Sequence, residues 1–145
     1  MERNPIYSSI LVAFDGSNGS TKALRRALLL AKDYNSRVTV FSVDEHVPGY
    51  APGVGKIEEE PALRETYFAH LREQATSIAK EIGVDIEIET AVDHAAQAII
   101  QLASKHLFDA IVIGHSGHSG VWGQLLGSTT ARVVDHAYCD VIVVR

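Results

Sequence analysis

Basic residues are scarce in this chain: 13 Lys and Arg stand against 18 Asp and Glu, for a net charge of −5. Binding along a nucleic-acid backbone needs clustered cations, so a broad nucleic-acid surface is excluded and no nucleic-acid partner is expected. Lys22, Arg25 and Arg26 cluster only locally, on a predicted helix, where they read as its solvated face. A single cysteine, Cys139, rules out an intrachain disulfide framework, suits a reducing compartment and reads as a small core residue. No apolar run approaches the roughly 20 residues of a membrane span, and Met1-Glu2-Arg3-Asn4-Pro5 has none of the apolar character of a secretory signal. A cytoplasmic protein with no membrane partner is the expectation. Internal repeats and low-complexity tracts are also missing.

What the sequence does hold is apolar residues in a regular order. With 145 residues, 46% of them hydrophobic, and a mean hydropathy of +0.05, the chain has the size of one domain, residues 1–145, built on one core. Strand-like runs occur at residues 10–14, 38–43, 86–90, 110–113 and 141–144. Helical periodicity lies between them: Leu24, Ala27, Leu28 and Ala31 share a face, as do Tyr67, Leu71, Ala75, Ile78 and Ile82, and then Ile99, Leu102 and Ala103. Strand alternating with helix predicts an α/β fold, an open parallel sheet covered by helices on both faces with right-handed crossovers. Four of the runs are almost continuously apolar, as strands buried on both faces should be, whereas Ile86-Glu87-Ile88-Glu89 alternates and is expected at an edge. Ser17, Asn18 or Ser20 can cap the first helix, Gly83 can end the second and Asp93 can cap the third. Residues 44–60, with Pro48, Gly49, Pro52, Gly53 and Gly55, read as a long loop after the second strand, either closing over a ligand or a plain surface excursion.

The fourth strand runs into Ile113-Gly114-His115-Ser116-Gly117, and after nine residues Gly127-Ser128-Thr129 opens the last helix. The first N–H groups of a helix have no internal partners and carry partial positive charge, so such a junction suits an anion. Glycines allow close approach, and Ser128, Thr129 and Thr130 add hydroxyl donors and capping capacity. A nucleotide phosphate site is the reading. In an open parallel sheet ligands gather beyond the carboxyl ends of the strands, where the strand order reverses. Asp15 and Gly16 after the first strand, Val43 and Asp44 at the end of the second, and Gly114 to Gly117 after the fourth would line one cleft if strands one and four are neighbours. Asp15 can accept from a ribose hydroxyl or a base; its other reading is an Asx-turn in Asp15-Gly16-Ser17. Val43 would offer backbone N–H and C=O to an adenine edge.

Better-known patterns do not fit. The segment lacks the Lys of a P-loop, no G-x-G-x-x-G opens the first helix, and Gly53-Val54-Gly55-Lys56 lacks both the glycine spacing and the following hydroxyl. Neither Ser116 nor Ser119 has the glycine two residues on that a nucleophile elbow requires. His115 and His118 lack a third and fourth partner for a metal, which leaves loop polarity or phosphate contact. Trp122 reads as packing the loop against a partner chain or the core rather than as a base-stacking residue.

Together these residues resemble the universal stress protein family over nearly the whole chain. The resemblance rests on Ile10-Leu11-Val12-Ala13-Phe14-Asp15-Gly16-Ser17, on G-x2-G-x9-G-[ST] as Gly114, Gly117, Gly127 and Ser128, and on the closing Asp140-Val141-Ile142-Val143-Val144. It implies a Rossmann-like five-stranded sheet in the order 3-2-1-4-5 and membership of the ATP-binding branch. Carried across, Ala13, Asp15 and Val43 would meet the adenine and ribose, Gly114, His115, Gly117 and His118 the ribose and phosphates, and Gly127, Ser128 and Thr129 the phosphates. His118 stands where some relatives place a basic residue, which shifts neutralisation onto backbone N–H groups, histidine protonation or a divalent ion. The ligand implied is ATP, with AMP or cAMP as alternatives and Mg2+ or Mn2+ accompanying the nucleotide. An apolar edge strand, Val141 to Val144, is expected to pair with its copy in a homodimer. The function implied is stress-response or energy-state signalling toward an unknown downstream protein. Hydrolysis should be slow at most, since no general base is aimed at a γ-phosphate. A nucleotide-independent dimeric interaction module and a true ATP hydrolase or transferase are the competing readings.

Overall fold

Strand and helix alternate throughout the described residues, 6–46, 61–116 and 125–145, of the computed structural model. The order is β1 (Ser9–Ala13), α1 (Asn18–Tyr34), β2 (Arg37–Asp44), α2 (Pro61–Ile82), β3 (Ile86–Val92), α3 (Ala95–Lys105), β4 (Ala110–Gly114), α4 (Ser128–His136) and β5 (Asp140–Val144). All pairings are parallel, in the order β3-β2-β1-β4-β5. Both the α/β class and the strand order agree with expectation.

The chain steps from β1 through β2 to β3, then returns to the far side of β1 for β4 and β5. Right-handed crossovers on steps of opposite direction put their helices on opposite faces. On one face Leu24 and Leu28 of α1 and Leu71 and Ala75 of α2 pack against Ile10, Val12, Val38 and Val40. On the other, Ile99 of α3 and Val133 of α4 pack against Leu11, Phe41, Ile111 and Ile113. Burying each such Leu or Ile stabilises the fold by about 1.5–3 kcal/mol. The reversal falls between β1 and β4, and there the crevice opens.

β3 lies at an edge and its side chains alternate in exposure, as Ile86-Glu87-Ile88-Glu89 predicts. Ser17 caps α1 by accepting from the Ser20 N–H at 3.2 Å. Gly83 ends α2 with φ +88°, its N–H donating to the Ala79 carbonyl at 2.8 Å. The expectation for α3 needs correction: His94, not Asp93, holds the N-cap position, and the carboxylate of Glu45 accepts from the Ala95 N–H at 2.9 Å. A remote carboxylate therefore takes the place of a local cap. Residues 47–60, the core of the expected loop, lie outside the described residues.

Candidate functional site

A cavity of about 610 Å³ opens at the carboxyl ends of β1, β2 and β4. Of the residues expected there, Ala13, Asp15, Val43, Gly114, Gly127, Ser128 and Thr129 line it. His115 does not line it, and Gly117, His118 and Trp122 lie outside the described residues. The first and fourth strands are neighbours, which brings the three loop segments together.

At the end of β1 the chain turns sharply. Asp15 forms the Asx-turn, its Oδ1 accepting from the Ser17 N–H at 2.9 Å, and Gly16 at φ +80° carries the reversal. A Cβ at Gly16 would also lie 2.9 Å from Leu71 Cδ2. Turn and cavity wall are thus the same residues. The β1–β2 ladder ends at Ala13 opposite Phe41, whose carbonyl accepts from the Phe14 N–H at 2.9 Å. Main-chain groups two residues apart on a strand point the same way, so those of Val43 face the line of β1 just past the end of that ladder.

The junction of β4 with α4 is tied at three points. The His115 N–H donates to the Val144 carbonyl at 2.8 Å, the His115 carbonyl accepts from the Gly127 N–H at 2.9 Å, and the buried Thr130 hydroxyl donates to the Gly114 carbonyl at 2.7 Å. His115 thus holds the two glycine segments together through its backbone. The Thr130 hydroxyl is committed to this bond, and the N-cap of α4 is Gly127, with no side-chain capping bond, so the capping expected from Ser128, Thr129 and Thr130 is not observed. Beside the junction, α1 approaches β4 backbone to backbone. A Cβ on Gly114 would lie 2.8 Å from both the carbonyl carbon and oxygen of Gly19, and one on Gly19 would collide with the Ser116 carbonyl.

Four helices begin at this cavity, and the three whose N-cap residue is described, α1, α3 and α4, differ in how their first N–H groups are satisfied. α1 is capped by Ser17 and α3 by Glu45, whereas α4 starts on a glycine that supplies no side chain. Of these three, α4 is the one whose first N–H groups no carboxylate or hydroxyl caps, the arrangement that suits an anion.

At the opposite end sequence reasoning placed Asp44 in the cleft, as observed, but missed the residues that surround it. Asp44, 5% exposed, closes β2 there. Its Oδ1 accepts from the His46 N–H at 3.0 Å and meets His46 Nδ1 at 2.7 Å, and its Oδ2 accepts from Arg64 Nε at 3.1 Å. Arg64 Nη2 also donates to the His46 carbonyl at 3.0 Å. Burial pushes the Asp44 carboxyl up, but the His46 and Arg64 contacts outweigh it and hold it below the usual carboxylate range. Leu63, Arg64 and Tyr67 of α2 complete this wall. Tyr67 was legible in the sequence only as part of the helix's apolar face, and Leu63 and Arg64 carry no signal, since the partners met here are remote in the chain. Among the described residues no group of three or more His, Cys, Asp or Glu is placed to hold a metal, and no helix is long and apolar enough to cross a membrane.

Residues 6–145 match the universal stress protein family. A universal stress protein of Methanocaldococcus jannaschii is 31% identical over 141 residues, 97% of this chain and 83% of that protein. The universal stress protein UspA from Lactobacillus plantarum has a fold similar to this one at TM-score 0.79 and 26% identity, covering 96% of this chain and 98% of its own. A universal stress protein solved in complex with cAMP aligns at TM-score 0.74 and 26% identity, over 97% of this chain and 98% of its own. Strand order, cavity and sequence agree, and the chain belongs to the universal stress protein family.

Proposed function

We propose that the chain binds an adenine nucleotide in this cavity, with ATP as the principal ligand and AMP or cAMP as smaller ones, and that occupancy reports energy or stress state to a downstream protein in the cytoplasm. The observation that carries the reading is the unequal treatment of the helix starts whose caps are described. Intramolecular groups cap α1 and α3, whereas α4 starts on Gly127 with no side-chain cap and lines the cavity with Gly127, Ser128 and Thr129. Phosphate belongs at that end, with Gly114, Gly117, Gly127, Ser128 and Thr129 around it, His118 and a divalent ion such as Mg2+ or Mn2+ helping to neutralise it, and His115 holding the frame. Ala13, Asp15 and Val43 then meet ribose and base. The complex of a relative with cAMP supports a ligand of this class. Turnover, where it occurs, is slow.

Calorimetric titration of nucleotide-stripped protein with ATP, AMP and cAMP is the test. Saturable binding of ATP at one site per chain is the expected result. Absence of binding by every adenine nucleotide overturns the reading.

The same proposal includes a homodimer formed through β5. The Val144 carbonyl points to β4, because it accepts from the His115 N–H. By strand alternation the N–H and C=O groups of Val141 and Val143 point to the outer edge, where a second copy can pair with them. Val143→Pro removes one outward N–H without breaking a bond to β4. The variant is expected to run as a monomer in light scattering with an unchanged far-ultraviolet spectrum, whereas a dimer of undiminished stability would exclude this interface.

A further inference from the structure

The two ends of the cavity differ in charge and in texture, and this difference assigns a role to a residue of α2. The α4 start lies beside β4, while Asp44 and Val43 close β2, and β1 stands between them. Two strand spacings, about 10 Å, therefore separate the anion-accepting end from the acidic end. At the acidic end Asp15, Asp44 and Glu45 line the wall beside Arg64, which pairs with Asp44, and this excess of carboxylates disfavours phosphate and suits a group rich in hydrogen-bond donors. Facing them are Leu63 and Tyr67, which leave 62% and 39% of their surface exposed at the mouth.

Tyr67 continues the inward stripe of α2. Leu71, Ala75 and Ala79, each four residues on, are buried in the core, but at Tyr67 the stripe has run past the sheet and meets the cavity instead. Phe68 packs on the ring with centroids 5.6 Å apart, and one turn back the same helix is anchored to β2 through Arg64 and Asp44. Burial and the charges of Asp15 and Asp44 raise the Tyr67 pKa, so its hydroxyl stays a proton donor throughout the neutral range.

We propose that Tyr67 is the specificity-determining wall of the base end of the cavity, a ring held by the first turns of α2 against which a planar aromatic base stacks while Asp15 and Asp44 disfavour phosphate there. The inference rests on the nucleotide reading and adds a residue to it. Because it concerns the base alone, its effect is separable from phosphate affinity.

The test compares ATP with inorganic tripolyphosphate, each measured by direct calorimetric titration, on wild type, Tyr67→Ala and Tyr67→Phe. Aromatic stacking is the affected contact, so Tyr67→Ala is expected to weaken ATP roughly ten-fold or more, to leave tripolyphosphate unchanged, and to melt within the range of a folded protein. Tyr67→Phe keeps the ring and is expected to stay within roughly three-fold of wild type for both ligands. ATP affinity unaltered in Tyr67→Ala, or equal losses for ATP and tripolyphosphate, overturns the assignment. Wild-type protein that binds tripolyphosphate but not ATP overturns the nucleotide reading itself, which keeps the two failures apart.

Discussion

Arg64→Ala is expected to lower the unfolding free energy by about 2–3 kcal/mol, read from the urea midpoint at neutral pH. Among the described residues the mutation leaves the Asp44 carboxylate, 5% exposed, with its His46 contacts alone. Breaking a fully buried pair costs about 3–5 kcal/mol, and the estimate is reduced because the Arg64 side chain is itself 22% exposed and His46 remains. A double variant, Asp44→Ala with Arg64→Ala, is expected to be no less stable than Arg64→Ala alone, since the uncompensated charge leaves with its partner. A double variant that loses the sum of both single effects would contradict this account. The pH dependence has a fixed sign. Asp44 titrates lower in the folded chain than unfolded, so its contribution is complete above about pH 4 and is lost as the pH falls through the lowered folded value. Arg64→Ala removes one of the groups that lower it, so in the variant this loss is smaller and is complete at higher pH.

Gly114→Ala is expected to damage fold and site together. Its new methyl would sit 2.8 Å from the Gly19 backbone, and a backbone atom cannot swing away as a flexible side chain could. α1 must move off β4, and overpacking of this kind costs about 1–3 kcal/mol. The melting temperature should fall by roughly 3–12 °C. Because Gly114 also accepts from Thr130 and follows directly into His115, the displacement reaches the start of α4. ATP affinity should therefore drop by more than the stability change alone would give, through loss of phosphate contact. Gly114→Ala with wild-type melting and wild-type ATP binding would mean that the approach of α1 to β4 is not tight.

The parts of this fold legible in the sequence are those whose cause is local. Continuous apolar runs such as Ile10-Leu11-Val12 marked strands covered on both faces, and the alternation at Ile86-Glu87-Ile88-Glu89 marked the edge. Gly127 and Ser128 were visible as a helix entry because the residue types that open helices are few. Contacts between remote residues were not legible. Glu45 caps α3 from 50 positions away, and Arg64 reaches Asp44 across 20. Nothing in either local sequence distinguishes these residues from solvated surface charges. Asp93 was the plausible cap by type and position, and it was displaced because a carboxylate from another loop fits the Ala95 amide. The Gly19 approach to Gly114 was hidden for a similar reason, since a glycine in the first turn of a helix has no pattern that reveals what the fold presses against it.

One bond described at the β4–α4 junction carries a consequence for how this chain could signal. Val144, at the outer rim, is bonded to the amide of His115, whose carbonyl in turn holds the amide of Gly127. The border that would meet a second copy is therefore two hydrogen bonds from the amides offered to phosphate. In the dimer proposed above, a ligand that shifts that relay would alter the tightness of the subunit contact, and reciprocity would then require association to alter ligand affinity by the same factor.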